Sequence, residues 1–288
     1  MADKGKGKDS KSRAGCLFVF LLILGIGSLV YFKWAEIKSR YLLSVTVPPA
    51  AVQPSPQKVS GKLAIIIDDL GFKTEVIDQL LEMKMPLTYS FLPELKHTRE
   101  LAEKVHQAGG EILVHMPMEP RNYPKENPGK NAIFVKMSDR DIRRMVKKNI
   151  ELVPYAVGMN NHMGSRATEN PRVMNIVLEE AKVSKLFFVD SLTSPRSVGY
   201  KLAKKMGIPT ARRDVFLDDK QKVDYTRHWL DRVIRMAVKD RKAIAVGHPY
   251  PSTLTVLKED LPKLRSMGVE LVPVSKLIEP AQYADSGH

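Results

Sequence analysis

Residues 63–71 read LAIIIDDLG: five apolar residues, three of them β-branched, running without a break into two acids and a glycine. A run that short and that continuously apolar marks a strand buried on both faces, as in a parallel sheet. The same grammar returns along the chain: a short apolar run, a polar turn, then a helical stretch. The later runs are LTYSF (87–91), EILVH (111–115), AVGMN (156–160), LFFV (186–189), TARR (210–213), AIAVG (243–247) and ELVPV (270–274). Between them apolar residues fall at helical spacing, as in Val76-Leu80-Leu81 and Ile142-Met145-Val146-Ile150. Gly109, Gly207 and Gly268 close helical stretches, where a left-handed cap suits glycine. Such alternation implies an α/β fold whose parallel sheet is covered on both sides. Seven or eight units over 61–280 predict a closed (β/α) barrel. An open doubly wound sheet is the alternative, although no G-x-G-x-x-G opens any βα turn.

Upstream of the barrel the composition changes. Residues 14–32, AGCLFVFLLILGIGSLVYF, are uncharged, enough helix to cross a hydrocarbon core of ~30 Å. Lys4, Lys6, Lys8, Lys11 and Arg13 precede them, so the positive-inside rule keeps the basic tail 1–13 cytoplasmic and places the chain beyond residue 32 outside. A cleaved signal peptide is the rival reading. It normally has an apolar core of ~7–15 residues and a small-x-small site, and none follows Tyr31-Phe32-Lys33-Trp34. The expectation is therefore a single-pass anchor in the cytoplasmic membrane, with the barrel in the periplasm or extracytoplasmic space. Residues 33–60 gather Pro49, Pro54 and Pro56 and read as a semi-stiff linker, and 281–288 as a short tail.

The charge supports this division. Of the net +14, residues 1–60 carry +6. The remaining +8 is spread along helices, with no arginine-rich run and no aromatic–basic alternation, so nucleic acid is not an expected partner. The single cysteine, Cys16, lies in the apolar run, which excludes a disulfide framework and any thiolate metal site. A metal in the folded part must be held by histidines and carboxylates.

In a barrel of this kind functional residues gather at the C-terminal ends of the strands, where the βα loops form one rim. The first strand ends in Asp68-Asp69, the third in His115, and Asn160-Asn161-His162 follow the fourth. Asp190-Ser191 end the fifth, Asp214 the sixth and His248 the seventh. His97, His106 and His228 fall on helical stretches. Taken singly, a strand-end Asp is as readily a helix cap, and a strand-end His a satisfied hydrogen-bonding residue. The Asp68-Asp69 pair is different: two adjacent carboxylates at the end of a buried strand repel one another and call for a compensating cation.

Five blocks also carry a resemblance: IIIDDLG (65–71), LVHMPMEP (113–120), GMNNHMGS (158–165), FFVDSLTS (187–194) and GHPYP (247–251). Together they resemble the divergent polysaccharide deacetylase family, related to metal-dependent carbohydrate esterases and chitooligosaccharide deacetylases, over residues 61–280. The resemblance implies a distorted (β/α) barrel that removes acetyl groups from a polysaccharide or peptidoglycan-like glycan with a divalent metal. It implies Asp68 as the base and Asp69 as a metal ligand. The relatives place two ligand histidines four or five residues apart after the third strand, and LVHMPMEP offers only His115. The second imidazole is then expected from the neighbouring strand, as His162. His248 is expected to protonate the leaving amine, and Asn160, Asn161, Asp190 and Arg166 are candidate substrate contacts.

The reaction needs few parts. A zinc-like ion acidifies water and polarises the acetyl oxygen, and a carboxylate within reach takes the proton. Mixed His/Asp ligation suits Zn²⁺, with Mn²⁺, Co²⁺ and Ni²⁺ also compatible. Two other readings stand beside it. The missing second histidine motivates a barrel without turnover, acting as a glycan-binding or envelope-assembly protein. A hydrolase for another bond would need a carboxylate pair, for which Glu119 and Asp190 are the candidates.

Overall fold

Nine strands, all parallel to their neighbours, form one curled sheet in a computed structural model that describes residues 25–40 and 59–279. The strands are β1 (Gly61–Leu70), β2 (Thr88–Phe91), β3 (Glu111–Met118), β4 (Gly158–Met163), β5 (Phe187–Asp190), β6 (Thr210–Arg212), β7 (Val215–Phe216), β8 (Lys242–Gly247) and β9 (Val269–Leu271). Their order is β6-β5-β4-β3-β2-β1-β8-β7, with β9 paired to the start of β1 at Gly61–Leu63. Eight of the nine coincide with the apolar runs of the sequence. The ninth, β7, is two residues long and escapes any periodicity.

The sheet curls in the manner of a (β/α) barrel but does not close by strand pairing. Its path ends at β6 on one side and β7 on the other. The residues between them span the seam: Arg213 N–H donates to Asp190 O of β5 at 3.0 Å, and Asp214 N–H donates to Ile244 O of β8 at 2.8 Å. The Asp214 carboxylate accepts the Ile244 N–H at 2.8 Å, so Asp214 serves the seam.

Period-two alternation sorts the core into two layers. On β1, Leu63, Ile65 and Ile67 pack outward with the helices, while Ala64 and Ile66 pack inward with Leu113, Phe187, Val189, Ile244 and Val246. The helices follow their own periodicity: α4 (Asp139–Leu152) buries Ile142 and Val146, and α7 (Val223–Asp240) buries Leu230, Val233, Ile234 and Ala237. Ser138 caps α4 by accepting from Asp141 N, and Asn170 caps α5 (Pro171–Val183) by accepting from Val173 N. Gly109, Gly207 and Gly268 have φ of +77°, +66° and +75°, the left-handed turns expected of them. The remaining helices are α2 (Thr74–Glu82), α3 (Thr98–Gln107), α6 (Gly199–Lys205) and α8 (Pro251–Asp260).

Where β1 passes beneath α7, a Cβ on Gly61 would lie 2.0 Å from Ala237 O, a backbone atom that cannot swing aside. Gly61→Ala is therefore expected to lower stability by about 1–3 kcal/mol in a denaturant titration; an unchanged midpoint would show that α7 yields freely.

The described residues fall into two units, 59–279 in one and 25–40 in the other. Residues 25–40 are helical as α1 and exposed throughout. No helix among the described residues is long and apolar enough to cross a membrane. Most of the expected anchor at 14–32, namely 14–24, lies outside the described residues, as do 1–13, most of the linker and the tail 281–288.

Candidate active site

Alternation also decides which polar residues reach the centre of the barrel. The inward parity of Ala64 and Ile66 continues to Asp68, that of Leu113 to His115, and that of Ile244 and Val246 to His248. On β4, Met159 packs outward, so Asn160 and His162 face in and Asn161 faces out. Asp69 would by the same rule face the helices. It does not, because β1 is irregular there: the register shifts between Ile67 and Leu70, and Asp69 takes a φ of +58°. This local twist places two consecutive carboxylates on one side of a strand.

Three donor atoms then converge. Asp69 Oδ1 lies 3.1 Å from His115 Nε2 and 2.8 Å from His162 Nδ1, and the two nitrogens are 3.1 Å apart. The parallel register of β3 and β4 sets this up, pairing His115 with Asn160 and Pro117 with His162. The imidazoles thus come from adjacent strands.

Asn160 fixes the chemistry of this group. Fully buried, its Oδ1 accepts from Ser90 Oγ at 2.6 Å and from His115 Nδ1 at 2.9 Å, while its Nδ2 donates to Asp68 Oδ1 at 2.8 Å. An amide oxygen only accepts, so His115 Nδ1 carries the proton and its Nε2 lone pair points at Asp69. Asp69 Oδ1 is itself buried without a hydrogen-bond partner. Facing lone pairs and an orphaned carboxylate oxygen are what a divalent cation would satisfy, and the three donors suit one. The electrostatics agree. Burial raises the Asp69 carboxyl, but the imidazoles of His115 and His162 outweigh it and hold it below the ordinary carboxylate range. Burial likewise lowers His115, and Asp68 and Asp69 outweigh that and push it up. The two carboxylates make the pocket a favourable place for positive charge.

His248 sits across from this trio, its Nε2 3.9 Å from Asp69 Oδ2. Its Nδ1 is held by Asp218 Oδ1 at 2.9 Å, and Asp218 Oδ2 accepts from His248 N–H at 2.6 Å and from Thr253 Oγ at 2.6 Å. Burial lowers the imidazole, but Asp218 more than reverses this and it rises to about 9. The sequence reading missed Asp218. The signal was present in its parity with the inward Phe216, but β7 is too short to be recognised as a strand. Arg213 was missed as well: its guanidinium lies 3.6 Å over the Phe216 ring, which stacks on His248 at 6.1 Å, and it donates to the carbonyls of Ser191 and Leu192.

The expected substrate contacts fare differently. Asn160 is a buried link between Asp68 and His115. Asn161, facing outward, accepts from Ser191 N–H and donates to Met163 O and Thr193 Oγ1, tying β4 to the loop after β5. Asp190 is fully buried and accepts from Leu192 N–H, Ser197 Oγ and Tyr200 N–H, which makes it the clamp of that loop and not a substrate contact. Arg166 is half exposed and donates to Glu119 at 2.8 Å. Glu119 spends its other oxygen on Val135 N–H at 2.6 Å. Both members of the Glu119–Asp190 pair are therefore committed to holding loops, which removes the support for a two-carboxylate hydrolase. His106 and His228 lie in α3 and α7, and His97 immediately precedes α3.

A model of the divergent polysaccharide deacetylase family matches residues 65–278. YibQ, an uncharacterized protein of Escherichia coli (strain K12), is 37% identical over 224 residues, covering 78% of this chain and 69% of YibQ. An uncharacterized protein of Haemophilus influenzae is 34% identical over 217 residues, covering 75% of this chain and 76% of its own. The crystal structure of an uncharacterized protein from Agrobacterium tumefaciens C58 superposes with a TM-score of 0.72 at 22% identity, covering 78% of this chain and 92% of that one, a likeness of fold.

Proposed function

The chain belongs to the divergent polysaccharide deacetylase family, and on that premise we propose that it removes acetyl groups from an amino-sugar polysaccharide with a divalent metal. The observation that carries the reading is the convergence of Asp69, His115 and His162 around an orphaned carboxylate oxygen. Two imidazoles and one carboxylate suit Zn²⁺ best. Bound there, the ion would polarise the acetyl carbonyl and make water a better nucleophile.

The chain's own residues supply the proton traffic. Asp68 is nearly buried, with Oδ1 held by Asn160; no described residue hydrogen-bonds to its Oδ2, the atom assigned to take the proton of the attacking water. His248, protonated at neutral pH and anchored through Nδ1, presents Nε2 to the same space and gives its proton to the departing amine. By the same reading the basic tail and the apolar run 14–32 hold the barrel on the outer side of the cytoplasmic membrane.

The direct test is acetate release from N-acetylglucosamine oligomers by the full-length chain, with Zn²⁺, Mn²⁺, Co²⁺ and Ni²⁺ added in turn and a chelator control. Metal-dependent acetate release is expected. Oligomer binding without acetate under every ion would make the protein a glycan-binding barrel instead.

The His248–Asp218 pair gives a pH prediction. Asp218 raises the His248 imidazole, and a proton donor works below its own value and fails above it. Asp218→Asn removes the charge that raises it, so the alkaline limb of the kcat/KM profile is expected to move toward the ordinary histidine value of about 6.5. A limb that stays in place takes His248 out of the acid role.

A further inference from the structure

The turn after the irregularity of β1 holds an aromatic side chain out of the core. Phe72 is 61% exposed. Its mounting is rigid: Leu92 N–H donates to Leu70 O at 3.0 Å, and His97 N–H donates to Gly71 O at 3.3 Å. Gly71 has a φ of +121°, and a Cβ there would lie 2.5 Å from Thr98 Oγ1. A single exposed phenylalanine is ordinary on a protein surface. The position of this one is not. With Asp69, Lys73, His248, Pro249 and Tyr250 it lines a cleft of about 350 Å³, at the small end of the ~300–1,000 Å³ usual for ligand sites. A second cavity adjoins it. Lys73, Val76 and Pro249 also line a larger groove of about 840 Å³ between α2 and α8, where Gln79, Glu82 and Lys258 add polar groups.

On the strength of the deacetylase reading, we infer that these two adjoining cavities bind the carbohydrate chain itself, with one sugar ring stacked on Phe72 and the following rings lying in the α2–α8 groove. A pyranose presents a face of C–H groups and an edge of hydroxyls. The phenyl ring matches the face, and the amide, carboxylate and ammonium of the groove match the edge. An acyl chain, the other apolar occupant, calls for a closed tunnel, whereas Phe72 keeps most of its surface open to solvent. Phe72 is a binding residue that sets a preference for oligomers over single sugars and takes no part in proton transfer.

The experiment titrates the N-acetylglucosamine tetramer and dimer into full-length chain carrying Asp68→Asn, which slows consumption of the ligand. The tetramer is expected to bind more tightly than the dimer. Phe72→Ala is expected to weaken the tetramer about tenfold, the upper range of an aromatic stacking contribution, while Phe72→Trp retains it. Tyr155→Ala changes nothing; Tyr155 is 48% exposed but lies before β4, at the other end of the strands. Thermal melts confirm that each variant is folded. Equal tetramer affinity with and without the Phe72 ring overturns the inference, as does equal affinity for dimer and tetramer. A Phe72 effect seen only when the N-acetyl groups of the tetramer are replaced by longer N-acyl groups assigns the cleft to an acyl chain and also overturns it. Acetate release on the same tetramer by the chain with Asp68 intact separates the two readings. Release with no dependence on Phe72 sinks this inference and leaves the deacetylase standing. Phe72-dependent binding without release does the reverse.

Discussion

Asp68→Asn is expected to lower the turnover number on an N-acetylated oligosaccharide by about 10²–10⁴-fold, the usual contribution of a general base, while leaving the bound metal in place. The substitution keeps the shape and the Oδ1 that accepts from Asn160, so the network running from Asp68 through Asn160 to His115 has no steric reason to rearrange. What it removes is the ability of the other atom to accept a proton. Metal analysis beside the kinetics makes the outcome decisive. If Asp68→Asn loses the metal and Asp69→Asn keeps it, the two aspartates have exchanged roles, and the irregularity of β1 has been read backwards.

Removing a converging donor should cost more than removing its support. Asp69→Ala, His115→Ala and His162→Ala are each expected to abolish stoichiometric metal and, with it, turnover, because each takes one of three donor atoms. Asn160→Ala leaves all three donors but frees the His115 ring, and is expected to weaken metal affinity by about 10–100-fold. His97→Ala and His228→Ala, outside the strand ends, are expected to leave metal content unchanged. Elemental analysis and competitive chelator titration give all six values. Full metal in His162→Ala together with loss in His115→Ala would mean that the second imidazole is not supplied by β4.

Much of this site was legible along the chain because strands announce their ends. An unbroken apolar run followed by a polar residue locates His115, His162 and His248 without any tertiary knowledge, since a buried strand excludes polar side chains until it reaches the rim. Legibility failed where the signal was not local. Asp190 and Asn161 sit at strand ends like the others, yet their parity turns them outward into loops, and parity follows only when the layer occupied by each apolar neighbour is known. Asp218 was hidden for a different reason: β7 has two residues, too few to show a period of two.

Local sequence is enough for the parallel α/β architecture, eight of the nine strands, the left-handed caps at Gly109, Gly207 and Gly268, and the mutual repulsion of the Asp68-Asp69 pair. Each of these depends on residues close together in the chain, where propensity, alternation and charge repulsion act directly. The tertiary structure alone decided that the sheet closes through Arg213 and Asp214 instead of through paired strands. It alone decided that Asp69 turns inward at a φ of +58° and that Asp218 holds His248. Each of those outcomes depends on hydrogen bonds and packing between strands distant in sequence. Local sequence specifies which groups a strand end offers, and the register between strands specifies which of those groups meet.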